Sequence, residues 1–350
     1  MKFAKAARYG LTCYRRGGAA GLLNMARGYR TLKTEPLVVP YSPFSLYVEP
    51  TLRCNLNCLM CDTTLRSRTR DQMTLARFQG VIDQFPYLQR LAIQGVGEPL
   101  LNPDFFDMIG YAKSKQVFVY FNTNACLLNE RNLERLLAAG PDEVRVSLDG
   151  ADRKTYERLR PGSSFELVTG NLKRLASRAP GRLTVAIWFL ATRENLDEMP
   201  LMPGLARRLG VRHLYVQSLH SWGNEEMVGK LIEPLGLQRG EMRDVIESTR
   251  REAAAKGVRL QLASDFFGGE VKRGCQFPWF LPYVTVEGFV TPCCMQGCNP
   301  EVIHFGNLFE KDFREIWNNE AYQRFRAALK SESPPRICRG CPAYYTGVLS

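Results

Sequence analysis

Between residues 44 and 263, short apolar runs alternate with longer stretches whose apolar positions recur every three or four residues. The short runs are FSLYVE (44–49), QRLAIQG (89–95), VFVYFNT (117–123), EVRVSLD (143–149), LTVAIWFLA (183–191) and RHLYVQS (212–218). They are rich in β-branched and aromatic residues and read as strands. VRLQLA (258–263) is a further candidate. The longer stretches, near 74–86, 103–115, 129–139, 152–177, 195–209 and 240–256, read as helices. Six βα units in series predict an α/β fold with a parallel sheet and helices outside it. Eight units would close a barrel, so six predict a partial (β/α)6 barrel with an open side.

The pattern changes after about residue 270. FLPYVTVEGFVTPCC predicts a hairpin turning at Glu287-Gly288, and LFEKDFREIWNNEAYQRFRAAL predicts one amphipathic helix. This reads as a second module, too small to bury a full core without a metal. At the other end, Phe3, Ala6, Ala7, Leu11 and Tyr14 recur at helical spacing, and so do Leu22, Leu23, Ala26, Tyr29 and Leu32 beyond Gly17-Gly18. Two short basic amphipathic helices are expected. The divisions are therefore 1–43, 44–268 and 269–350, and a length of 350 residues suits about two domains.

Charge sharpens the N-terminal segment. The net charge is +12, and residues 1–35 hold eight Lys/Arg against one Glu. The segment could pack on the main domain, or attach to an anionic membrane surface or an acidic partner. No helix-turn-helix or RNA-binding signature accompanies the basicity, so nucleic acid is not expected as a partner. No apolar run approaches the roughly 20 residues of a membrane span, and no signal peptide is evident. A cytoplasmic protein, in peripheral contact with the membrane if the N-terminus binds lipid, is the expectation.

Eleven cysteines with no export signal point to metal or redox chemistry rather than disulfides. Nine fall in two groups, 54, 58, 61 and 275, 293, 294, 298, 338, 341. Cys13 and Cys126 stand alone and read as small buried apolar residues. Three thiolates in CNLNCLMC (54–61) can hold three irons of a [4Fe–4S] cube and leave the fourth open. The loop follows the first strand, at the end of the barrel where active sites lie.

The spacing C-x3-C-x2-C at that position resembles the radical S-adenosylmethionine (SAM) superfamily. GVGEP (95–99) follows the second strand, where the family places a Gly-Gly-Glu motif; here Val96 splits the glycine pair. NTN (122–124) and SLDG (147–150) follow the third and fourth strands. The resemblance implies SAM contacts from Met60, Gly95, Gly97, Glu98, Asn122, Asn124, Ser147, Arg160 and Asn195. Met60 stands where the family often has an aromatic residue. Cys275, Gly288, Cys293 and CRGC (338–341) give C-x12-G-x4-C…C-x2-C, which resembles the SPASM/Twitch auxiliary-cluster module. The implied ligands of one further [4Fe–4S] cluster are Cys275, Cys293, Cys338 and Cys341. Cys294 and Cys298 are either spare thiols or substitutes for one of these. A four-thiolate zinc site is the competing reading.

The resemblance implies reductive cleavage of SAM, with an electron from a partner such as flavodoxin or ferredoxin. A 5′-deoxyadenosyl radical would then abstract hydrogen from the substrate. The expected substrate is a small molecule such as an alcohol, a sugar or a lipid-linked compound, undergoing net two-electron oxidation. The alternative is a peptide, in a maturase. A non-catalytic iron–sulfur or zinc protein is the reading of another class. His220, Trp222 and Asp265 follow late strands and could contact substrate, with His220 and Asp265 as candidate bases. Arg66, Arg68 and Arg70 could grip an anionic group or form a solvated loop face.

Overall fold

The computed structural model describes residues 2–61, 66, 69–219, 239–263, 274–295, 297–339, 341 and 344. Every expected strand forms: β1 (Ser45–Val48), β2 (Arg90–Ile93), β3 (Phe118–Thr123), β4 (Glu143–Ser147), β5 (Thr184–Ala191), β6 (His213–Ser218) and β7 (Arg259–Leu262). All seven pair in parallel with their sequence neighbours. Helices α2 (Leu75–Asp83), α3 (Phe105–Ser114), α4 (Glu130–Ala139), α5 (Arg153–Leu159), α6 (Phe165–Arg178), α7 (Met202–Arg208) and α8 (Arg239–Lys256) form the connections.

Strand alternation sorts the side chains. Val48, Leu91, Ile93, Val119, Phe121, Val144, Val146, Ile187 and Phe189 are fully buried in the core that the helices share. The alternate positions face the barrel interior, which is aromatic and charged. Arg145 lies over the rings of Tyr120, Trp188 and Tyr215 at 4.4–5.1 Å. Its Nε donates to Glu143 at 2.7 Å. This stack fills the barrel from β3 to β6.

Two helices of the βα units differ from expectation. The stretch 152–177 breaks into α5 and α6 because Pro161 and Gly162 (φ +89°) intervene and Ser164 caps α6. The stretch 195–209 opens with a 3-10 turn, Leu196–Leu201, because prolines stand at 200 and 203.

Beyond β7, α9 (Phe277–Phe280) leads into the hairpin β8 (Tyr283–Val284) and β9 (Val290–Thr291). Gly288 makes its turn at φ +90°, and a Cβ there would lie 2.5 Å from Asn307 Oδ1. β8 pairs in parallel with β1, so the hairpin extends the sheet, in order β7-β6-β5-β4-β3-β2-β1-β8-β9. The sheet remains open between β7 and β9. The expected long helix is two, α10 (Phe313–Trp317) and α11 (Glu320–Leu329), because the Asn319 side chain caps Tyr322 N at 2.9 Å. A short helix, α12 (Arg336–Arg339), follows.

At the N-terminus, α1 (Lys2–Thr34) is interrupted at Gly18 (φ 54°, ψ −141°), as the Gly-Gly pair predicts. Its second half lies at the N-terminal ends of the strands. Asn24 exchanges two 2.9 Å hydrogen bonds with Ser42, and a Cβ on Gly28 would collide with Phe44 and Tyr41. Among the described residues no helix is long and apolar enough to cross a membrane.

Candidate active site

The loop after β1 carries Cys54, Cys58 and Cys61, all half-buried. Leu52, Leu56 and Met60 turn inward and fix its course. The segment that splits α5 from α6 cradles it: Leu59 N donates to Leu159 O at 3.0 Å and Asn57 N to Pro161 O at 3.4 Å. Arg66 Nη1 donates to Leu56 O at 2.5 Å and Nη2 to Asn57 Oδ1 at 3.1 Å, so this arginine serves the loop itself. Arg70 is exposed.

Cys58 lies near enough for its charge to act on both Cys54 and Cys61. Burial raises the Cys54 thiol and pushes Cys61 up to about 11. Cys54 and Cys61 are therefore protonated at neutral pH until a metal displaces the protons.

The turn after β2 presses on the same loop. Glu98 N donates to Arg53 O at 2.8 Å. A Cβ on Gly97 would lie 2.4 Å from Thr51 O and 2.6 Å from Arg53 O, so only glycine fits. Glu98 is buried, with no ion-pair contact among the described residues. Oε1 accepts from Thr123 Oγ1 (2.7 Å) and Leu100 N (3.2 Å), and Oε2 from Asn124 N (2.8 Å). Burial raises its carboxyl above the ordinary range, and these hydrogen bonds work the other way. Asn124 Nδ2 reaches the cysteine loop at Asn55 Oδ1, 2.9 Å. Asn122 on β3 and Gln94, just past β2, each have a buried amide oxygen with no hydrogen-bond partner among the described residues. Ser147 is half-buried beside Trp188 in the β4–β5 register.

Arg160 reaches the thiol loop at Cys58. Its Nη1 is 3.6 Å from Cys58 Sγ, while Nε and Nη2 grip Asp149 Oδ2 at 2.6 and 2.5 Å. Burial works against the Arg160 charge and Asp149 more than restores it, holding the guanidinium above its ordinary value. Asp149 is fully buried and also accepts from Leu190 N at 2.8 Å. Asn195 accepts from Thr192 N and donates to the carbonyls of Asp149 and Leu190, tying the ends of β4 and β5 together. Met60 packs with Leu159 and Leu219. Cys126, expected to be a buried apolar filler, is half-buried with its sulfur 3.2 Å from Ser163 Oγ; Cys13 is buried as expected. His220, Trp222, Asp265 and Arg68 lie outside the described residues.

The second group surrounds the hairpin. Cys275 precedes α9, Cys293 follows β9, Cys338 lies in α12 and Cys341 just beyond it. Burial, then the nearness of Cys293, Cys341 and Cys338, drives the Cys275 thiol well up. Burial and the charges of Cys293 and Cys341 do the same to Cys338. Cys294 is half-buried; loss of solvent around its thiol pushes it up to about 12, and the sulfur faces Tyr47 of the barrel. Cys298 packs on Tyr283. Among the described residues no three His, Cys, Asp or Glu side chains converge on a single-ion site. The two sets are soft thiol donors, three on one loop and four on three separate segments, and they suit iron–sulfur clusters in chemistry and number.

Sequence reasoning missed two residues. Glu49 is fully buried just past β1; its Oε1 accepts from Val96 N (3.2 Å) and Tyr283 OH (2.9 Å), joining the glycine turn to the C-terminal hairpin. An acid closing the apolar run FSLYV was the signal. Asp149 was visible in SLDG but was not assigned a role.

Comparison with known proteins places these features. A family model for the radical SAM superfamily matches residues 48–202, and one for an iron–sulfur cluster-binding domain, SPASM, matches 275–342. The PqqA peptide cyclase of Gluconobacter oxydans is 27% identical over 315 residues, covering 87% of this chain and 84% of that protein. Mycofactocin maturase MftC of Mycobacterium ulcerans is 30% identical over 227 residues, 65% of this chain and 59% of the maturase. The chain thus matches less than two thirds of that maturase's length. Relatives at 26% identity are named for cofactor modification and heme synthesis. Streptococcus suis SuiB bound to its precursor peptide SuiA shares the fold at TM-score 0.68 and 15% identity, over 94% of this chain and 76% of SuiB.

Proposed function

Because the chain is a radical SAM enzyme with a C-terminal SPASM domain, we propose that it modifies a peptide, with Cys54, Cys58 and Cys61 holding the SAM-binding [4Fe–4S] cluster. The match to a peptide cyclase over 84% of that protein's length carries the peptide reading over the small-molecule one. The open side of the sheet between β7 and β9 supports it, since a closed barrel would not admit an extended chain. Cys275, Cys293, Cys338 and Cys341 would hold the auxiliary cluster. Bound at the first loop, cluster and SAM supply hydrogen-atom abstraction from an unactivated C–H bond.

The chain's own residues position and exclude. The 159–162 segment and Arg66 fix the cysteine loop from two sides. Gly97 lets the turn after β2 approach that loop, and Glu98 locks the turn to the end of β3. Gly95, Asn122, Asn124, Ser147 and Asn195 sit at the ends of β2 to β5, the positions from which SAM would be contacted. Arg160, held by Asp149, sets a positive charge beside Cys58. The Arg145 stack occupies the barrel interior between β3 and β6. An electron donor such as flavodoxin or ferredoxin belongs to the same reading, and a peripheral membrane contact of α1 is proposed separately from it.

The test uses iron-loaded enzyme with SAM, dithionite and size-fractionated extract of the source cells. 5′-Deoxyadenosine formation should rise with the peptide fraction, and protease pretreatment should abolish the rise. Stimulation by the small-molecule fraction that survives protease would restore the alcohol, sugar or lipid-linked substrate.

A further inference from the structure

The outer face of α1 is the least protein-like surface on the molecule. Ten large apolar side chains are exposed among the described residues, and six lie between positions 14 and 38: Tyr14, Leu22, Leu23, Tyr29, Leu37 and Val38. The inner face accounts for none of them. Gly21, Asn24, Gly28 and Thr31, spaced three and four apart, are the buried positions, and small side chains let the helix lie close against Tyr41 and Phe44. A surface helix docked this way normally turns a mixed-charge polar face to water. Here that face carries apolar residues with Arg27, Arg30 and Lys33, all exposed, and Lys33 Nζ sits 4.5 Å over the Tyr29 ring. The first 34 residues contain eight Lys/Arg and no acid.

We propose that this face docks on an anionic lipid bilayer, with Leu22, Leu23 and Tyr29 entering the interface and Arg27, Arg30 and Lys33 reaching lipid phosphates. This gives the membrane contact named above its residues and its lipid chemistry, and it is independent of the peptide reading. Apolar side chains interleaved with cations and unrelieved by any acid suit a sheet of phosphates over hydrocarbon. Tyrosine is at home at that boundary. The orientation follows from the fold. α1 meets the strands at their N-terminal ends, next to Tyr41, Phe44 and Gln89, whereas the cysteine loop lies at the opposite ends. Docking would leave the site open to the aqueous phase.

Deleting residues 1–35 is a poor test, because Asn24 and Gly28 belong to the packed interface. Exposed positions are better. The iron-loaded full chain should co-sediment with phosphatidylglycerol-containing vesicles and not with pure phosphatidylcholine, and should lose binding in high salt. Leu22→Asp/Leu23→Asp/Tyr29→Asp should abolish co-sedimentation. Arg27→Gln/Arg30→Gln/Lys33→Gln should weaken it by about a hundredfold, at roughly fivefold per cation. Both should keep the wild-type melting temperature, iron content and 5′-deoxyadenosine yield. Absence of binding to anionic vesicles, or equal binding by the triple-Asp variant, overturns the proposal. So does a concentration-dependent dimer that the triple-Asp variant abolishes, since that would make the patch a self-association surface.

Discussion

At the scale of residues, the buried Arg160–Asp149 pair is where the site is most sensitive. With side-chain exposures of 11% and 0%, neither charge has water to fall back on. Asp149→Ala should cost about 3–5 kcal/mol, because it strands the guanidinium. A paired Asp149→Leu/Arg160→Met change should cost markedly less. Thermal melts of the metal-free chain measure both, and equal losses would show that the pair's charges are not coupled. The cysteines make a second prediction, with a sign. Cys61 binds its proton more tightly folded than unfolded, so unfolding releases protons. That contribution is present below the unfolded value of 9.0 and is lost as pH rises toward about 11. The metal-free chain should therefore melt earlier as pH climbs through that window. The iron-loaded protein, whose thiols have already lost their protons, should not show this step.

At the scale of elements, the close approach of the β2 turn to the cysteine loop is a geometric demand. Gly97→Ala puts a methyl into Thr51 O and Arg53 O, and should weaken SAM binding by at least tenfold while iron content stays near wild type. Equilibrium dialysis with SAM against an iron assay separates the two effects. This demand was legible in GVGEP, as every barrel strand was legible in its run of β-branched and aromatic residues. The helix breaks at Arg160–Ser163 and Asn318–Asn319 are harder to read: Pro161-Gly162 marks the first and Asn319 the second, but apolar periodicity runs through both. The first break matters to function, since it is what carries Arg160 to Cys58. The sequence could not show the roles of Asn195 and Arg66. Both sit where a cofactor or substrate contact is expected, yet their side-chain bonds go to backbone and a neighbouring loop.

At the scale of the molecule, the chain joins a thiol set on one loop to a second set of four thiols on three segments through one continuous sheet. The β1–β8 pairing and Glu49 form the joint. The reading of a second module carries no sign of this joint, because parallel pairing between residues 47 and 283 leaves no local signature. The central claim is that Cys54, Cys58 and Cys61 hold the cluster at which SAM is cleaved. The direct measurement is 5′-deoxyadenosine formed per chain from SAM and dithionite, set beside iron content after anaerobic reconstitution. Wild type should hold about eight irons, two four-iron cubes, and form the product. Cys54→Ala/Cys58→Ala/Cys61→Ala should hold about four and form none. A fully iron-loaded wild-type chain that yields no 5′-deoxyadenosine, or a triple variant that yields as much as wild type, would contradict the account.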